Sequence, residues 1–267
     1  MTERLFKNKK WVDYLCFLAF TGLISCSVQA PDTTAPKPIL IEPWRLPQSS
    51  IIIDAYAGNH IDWDAMATDT QVAAVIHKAS EGLREDPKYK NRKKIALQRN
   101  YLWGSYHLGR PGDPIQQADF YLSVAQPGEQ DFMALDLESV DPKKFMSIPD
   151  AIRFIHHIQA KTGRYPAVYG NHNVISTLSK QYDKTSVFAK TPLWYARFRK
   201  DIPNFPTQIW PSYTLWQFSS EINCQANATD CLRPVPGTAH DMDINVYPGS
   251  VKSLQQQWPF ADGAIQD

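Results

Sequence analysis

Eight short apolar runs, at 51–53, 73–77, 102–106, 132–137, 167–169, 193–196, 214–218 and 244–247, recur along this chain of 267 residues. Each has the length of a buried strand. Helical segments at 63–69, 86–100, 113–125, 148–163 and 174–180 separate the first six of them. In the third segment Ile115, Ala118, Leu122 and Ala125 form one apolar stripe. In the fourth, Ile148, Ala151, Ile152 and Ile155 do the same, behind a Ser147 to Asp150 capping pattern and ahead of Gly163 as a stop. After residue 190 the helical pattern ends. Strands alternating with helices predict a parallel sheet. The expected fold class is α/β, a modified TIM-like (β/α) barrel with eight strands and about five helices, whose last third has lost its helices.

Such barrels carry their chemistry where the strands stop. Polar residues stand at those positions: Asp54 after the first run, Lys78 and Glu81 after the second, Tyr106 and His107 at the third, Asp136 and Glu138 at the fourth, and Gln217 near the seventh. Residues i and i+2 of a strand share a face, about 6.5 to 7 Å apart at Cα, so Asp136 and Glu138 in "FMALDLES" both face the barrel mouth. Two carboxylates shielded from water push one pKa up and leave the other ionised, a division of labour that glycoside cleavage requires. A purely structural pair, neutralised by Lys78 or an arginine, is the competing reading. On the catalytic reading Glu138 is the general acid, and retaining and inverting outcomes both fit the spacing.

The N-terminus reads as an export signal: Arg4, Lys7, Lys9 and Lys10 precede an apolar run from Tyr14 to Ser25, too short to span a membrane comfortably. "LISC" resembles a bacterial lipobox with Cys26 as the lipidated residue, and "VQA" at 28–30 is the competing cleavage site. The expected organisation is a signal over 1–26, a proline-rich tether over 27–50 holding five prolines, and a folded barrel over 51–267. Lipidation would anchor the protein in the bacterial cell envelope, at the outer membrane facing the periplasm; cleavage after Ala30 would release it. Cys224 and Cys231 then remain in the folded part, and in an exported chain they are expected to form a disulfide.

Removing residues 1–30 takes away four basic and two acidic side chains, which moves the formal charge from +1 to −1. That balance gives no electrostatic case for nucleic acid. The locally basic "KYKNRKKIALQR" is read as a solvated helix face. Adjacent His156 and His157 cannot share a helix face as metal ligands, and "DMDIN" carries Val246 where a calcium loop needs glycine. No metal and no cofactor are expected. Trp63 and Trp103 are read as core, while Trp194 and Trp216 fit core or sugar platform equally.

The segments "IIIDAYAGNHIDW", "VIHKASEG", "GSYHLGRP", "QQADFYL", "MALDLE", "PLWYARF", "LWQFSS" and "DMDINVY" occur in the order and spacing of glycoside hydrolase family 25, the lysozyme-type N-acetylmuramidases, which the chain resembles from about Ile51 to Tyr247. The resemblance implies a peptidoglycan hydrolase, acting as a monomer on glycan strands at the β-1,4 bond between N-acetylmuramic acid and N-acetylglucosamine. It matches Asp54, Asp136, Glu138 and Asp243 to the family's acidic residues, with Asn245 beside the last, and Tyr106, Tyr169, Trp194 and Gln217 to its subsites. Lys78 and Glu81 fall in "KASEG", as a structural pair or as ligands. The family's D-V-S opening is "DAY" here, with Tyr56 at the serine position. Chitinase-like barrels use D-x-D-x-E, and Ala134 occupies the first acidic position of that pattern. A barrel that binds peptidoglycan without cleaving it, and a lysin or toxin aimed at competitors, are the alternatives from other classes.

Overall fold

The structure is a computed structural model that describes residues 40–226 and 231–261. Cys26, both cleavage sites and tether residues 27–39 lie outside the described residues. Nine strands are present among the described residues: β1 (Ser50–Ala55), β2 (Val72–Glu81), β3 (Arg84–Glu85), β4 (Leu102–Leu108), β5 (Phe132–Leu137), β6 (Ala167–Asn171), β7 (Leu193–Ala196), β8 (Leu215–Ser219) and β9 (Asp243–Tyr247). The two-residue β3 is a hairpin arm on β2; the other eight close into a barrel through the β1–β2 pairing. Helices α1 (Trp63–Met66), α2 (Tyr89–Gln98), α3 (Pro114–Ala125), α4 (Ile148–Thr162) and α5 (His172–Gln181) follow the early strands, and α6 (Val251–Gln257) follows β9. Three of the expected helix starts have side-chain caps: Asp62 accepts from the Asp64 and Ala65 amides, Asp113 from the Ile115 and Gln116 amides, and Ser147 from the Asp150 amide.

Seven barrel strands run parallel, but β9 is antiparallel to both neighbours, which corrects the all-parallel expectation. The reversal matters for the site. Asp243 begins its strand rather than ending it, and the antiparallel direction returns it to the rim where the parallel strands stop. The same reversal brings the end of β9 to the opposite mouth. There α6 and the residues after it close the barrel, with Trp258 and Phe260 packed on Phe132 and the Trp258 indole donating to the Trp103 carbonyl.

A fold beginning near Ser50 is also corrected. Residues 40–49 belong to the packed body: Ile41 bridges Asp201, the Glu42 amide donates to the Lys200 carbonyl, and Trp44 is only 2% exposed. Its ring stacks on Phe218 at 4.0 Å and meets Trp216 edge-on at 5.1 Å. Trp216 and Phe218 point away from the barrel axis on β8, a strand that no helix follows before β9 among the described residues. Trp44 covers apolar surface that an outer helix covers elsewhere in such barrels.

The basic face of α2 is not simply solvated. Arg92 is buried, and Lys93 bonds to Asp131 at 2.7 Å and to the Ala125 and Gln126 carbonyls. Trp103 is core, as expected, and Trp63 packs against the core while partly exposed.

Candidate active site

Strand parity sorts the barrel interior into a dry half and a polar half. Ile52, Ala74, Ile76, Phe132, Ala134, Ala167 and Leu215 fill the lower interior. Two residues further along the same strands stand Asp54, Lys78, Asp136, Tyr169 and Gln217. One network ties five strands together there. Asp54 Oδ2 accepts from Asn245 Nδ2 at 2.7 Å and from Gln217 Nε2 at 2.9 Å. Gln217 Oε1 accepts from the Tyr169 hydroxyl at 2.7 Å, and Asn245 Oδ1 accepts from the Trp194 indole at 2.6 Å.

This network spends the polar atoms of three residues matched to sugar subsites. Trp194 is 1% exposed, and Gln217 has both ends of its amide committed. They form the floor beneath the mouth rather than its surface. Trp216 is core, its indole bonded to the Arg197 carbonyl. Tyr106 is partly exposed, set edge-on to Trp194 at 6.0 Å.

The four acidic residues converge with unequal surroundings. Burial pushes Asp54 up to about 6 against the pull of its two amide hydrogen bonds, with Glu138 and Glu221 adding to the rise. Asp136 is 5% exposed, and its buried Oδ1 has no hydrogen-bond partner. Burial first, then Glu138 and Asp54, hold its pKa well above the carboxylate range. Asp243 is raised strongly by burial and by Asp54. Glu138 lies just past β5 and is open to solvent, yet the protein crowded about it still raises its carboxyl, with Arg110 opposing. The sequence gives the neutral form to Glu138; burial gives Asp136 the stronger upward push.

Lys78 stands at the rim with its ammonium 3.3 Å from Glu81 Oε2, and Glu81 also binds Arg84 and Arg110. Against burial, which raises it, Arg110 and Lys78 hold the Glu81 carboxyl below the usual range and remove it from the acidic cluster. The "KASEG" lysine and glutamate are thus a bonded pair in this structure.

Four residues with a part here were not assigned one from the sequence. Asn245 positions Asp54; only its place in the D-x-N pattern hinted at it. Arg110 faces Glu138 and Asp136 electrostatically, from the "LGRP" segment. Phe198 packs onto the interior cluster four residues after Trp194, where strand parity points inward. Glu221 follows β8 on a turn closed by the Cys224 amide donating to the Ser220 carbonyl, just before the Cys224–Cys231 disulfide, and adds a fifth carboxylate to the field. Among the described residues, no group of three or more His, Cys, Asp or Glu could hold a metal ion.

The sequence profile of the Glycosyl hydrolases family 25 matches residues 53–226. An N,O-diacetylmuramidase from Arthroderma benhamiae is 28% identical over 157 residues, covering 54% of this chain and 65% of that protein, so the chain spans just under two thirds of that relative's length. A bacterial lysozyme from Streptomyces coelicolor superposes with a TM-score of 0.65 at 22% identity, over 81% of this chain and 100% of the other. A muramidase from Acremonium alcalophilum gives 0.61 at 21% identity, over 77% and 97%. Those structures share the fold. The barrel, the acidic rim and the profile match over most of the folded part place the chain in glycosyl hydrolase family 25.

Proposed function

We propose that the protein is a lysozyme-type muramidase, cleaving the β-1,4 bond between N-acetylmuramic acid and N-acetylglucosamine in peptidoglycan. The observation that carries the reading is the Asp136–Glu138 pair at one barrel mouth, with the inner carboxyl buried and the outer one open. Glu138 has the exposure to reach a glycosidic oxygen and a raised pKa that favours its protonated form, so it acts as general acid as the C1–O bond breaks. The Oδ1 of Asp136, buried and unpartnered, is an acceptor suited to the N–H of a substrate 2-acetamido group. Asn245 and Gln217 hold Asp54 in place, Asp243 stands opposite it, and the Tyr106 hydroxyl faces the cluster as a donor. Tyr169, Trp194 and Gln217 act as positioning residues beneath the sugar.

Purified peptidoglycan, treated with the protein and analysed for new reducing ends, tests the reading. Muramic acid at the new ends is expected. Glucosamine at those ends, or no release, overturns it and leaves a glucosaminidase or a binding barrel.

The lipid anchor belongs to the same proposal. Acylation of Cys26 would put the barrel on the envelope membrane, within reach of the wall, and a second acyl chain would make that attachment stable. Cys26→Ala is expected to move the protein from the membrane fraction to the soluble fraction. A wild-type protein that is already soluble, with Pro31 at its N-terminus, supports cleavage after Ala30.

A further inference from the structure

We propose that Tyr56 is a rigid stacking platform for an N-acetylhexosamine ring of the glycan strand lying beyond the cleaved pair, and so a specificity residue; this rests on the muramidase reading. Tyr56 follows Asp54 by two residues, on the loop leaving β1, and is 44% exposed. An exposed aromatic ring is ordinary on a mobile loop. This one is fixed from several sides.

Its amide donates to Asn59 Oδ1 at 2.8 Å, and its carbonyl accepts from Arg92 Nη1 at 2.8 Å and from the Asn59 amide at 3.1 Å. Arg92 is a buried guanidinium whose side-chain bonds all go to this loop or to His77: Nη2 donates to the Asn59 carbonyl at 2.6 Å, and Nη1 meets His77 Nε2 at 3.1 Å. The next amide, of Ala57, donates to Asp86 Oδ2 at 2.9 Å. Burying a guanidinium is costly, and here it buys the placement of one short turn.

The ring itself has two neighbours. A Cβ at Gly58 would overlap the Tyr56 ring, so the phenol rests where a side chain at 58 would stand. Lys78, at the rim, sets its ammonium 5.0 Å from the ring centroid and ties the ring to the wall of the acidic mouth. A pyranose presents C–H bonds on one face and polar groups on its edge. A fixed phenol with a neighbouring ammonium offers the matching apolar face and donor, at low entropic cost because the protein has already ordered them.

Steady-state kinetics on peptide-free peptidoglycan oligosaccharides, a tetramer and an octamer, test the proposal. Tyr56→Ala is expected to raise KM for the octamer about tenfold with kcat within about twofold, and to affect the tetramer less. Tyr56→Phe should keep the wild-type KM. Gly58→Ala, which leaves the tyrosine but displaces its ring, should reproduce Tyr56→Ala. Unchanged octamer KM in Tyr56→Ala, or an equal loss of kcat on both lengths, overturns the platform. Should the wild type cleave neither oligosaccharide, the muramidase reading fails, and calorimetric Kd for the octamer becomes the readout. A Kd about tenfold weaker in Tyr56→Ala then supports the platform, and equal Kd values or no binding overturn it.

Discussion

Asp243 stands directly opposite Asp54 in the antiparallel ladder of β1 and β9. Like charges facing each other across a ladder are destabilising, and Asp54 is buried as well. The protein answers by clamping Asp54 between Gln217 and Asn245, yet burial still leaves its pKa near 6 rather than 3.8.

That rise has a defined sign. Asp54 binds its proton more tightly folded than unfolded, so its contribution to stability is complete below about pH 4 and is lost as pH climbs through 6. The cost at neutral pH is about 3 kcal/mol. Asp54→Asn should melt above the wild type at pH 7 to 8, with the gap closing toward pH 4. A variant that melts lower at pH 8 shows that the amide clamp outweighs the burial.

Glu138 makes a contrasting prediction. Glu138 is solvent-exposed, its carboxyl has no hydrogen-bond partner among the described residues, and burial by its neighbours raises it, so Glu138→Gln should fold and melt no lower than the wild type at neutral pH. Hydrolysis should fall by at least ~10². Near-wild-type release of muramic acid ends by the variant removes Glu138 as the acid.

Two buried histidines titrate in the other direction. Burial lowers His77 and His107 to about 4, and each ring is bonded at both nitrogens, His77 to the Lys78 carbonyl and Arg92, His107 to Ser80 and Gln117. A folded pKa below the unfolded 6.5 means stability that is full above pH 6.5 and is lost as pH falls toward 4. Proton NMR should find both imidazoles neutral at pH 5. Titration of either near 6.5 contradicts their placement.

Strand positions and the rim were legible in the sequence because apolar run length and the polar residue after each run are local properties. Phe132 to Leu137 was expected as a strand and is one, and Asp54, Asp136, Glu138 and Asp243 meet as their motifs implied. The direction of β9 was not legible, since a short run such as "DINVY" reads alike in both directions. Nor were the floor residues: nothing local distinguishes a Trp194 that touches sugar from one whose indole is spent on Asn245, fifty-one residues away. Glu221 and Trp44 were missed for a related reason, because each acts on residues far along the chain.

Trp44 supplies the sharpest check on where the fold begins. A tether residue could be replaced without consequence, whereas this ring lies buried between Phe218 and Trp216 on the outside of a strand that no helix follows among the described residues. Removing it opens a cavity against β8, at a cost of about 3 to 5 kcal/mol. Trp44→Ala should therefore lower Tm by many degrees, while a chain starting at residue 50 should be less stable than one starting at residue 40 by at least as much. Trp44→Phe, which keeps an aromatic face for Phe218, should recover most of the loss. Equal melting of the two truncated chains would return residues 40–49 to the tether and leave the outer face of β8 stable without cover.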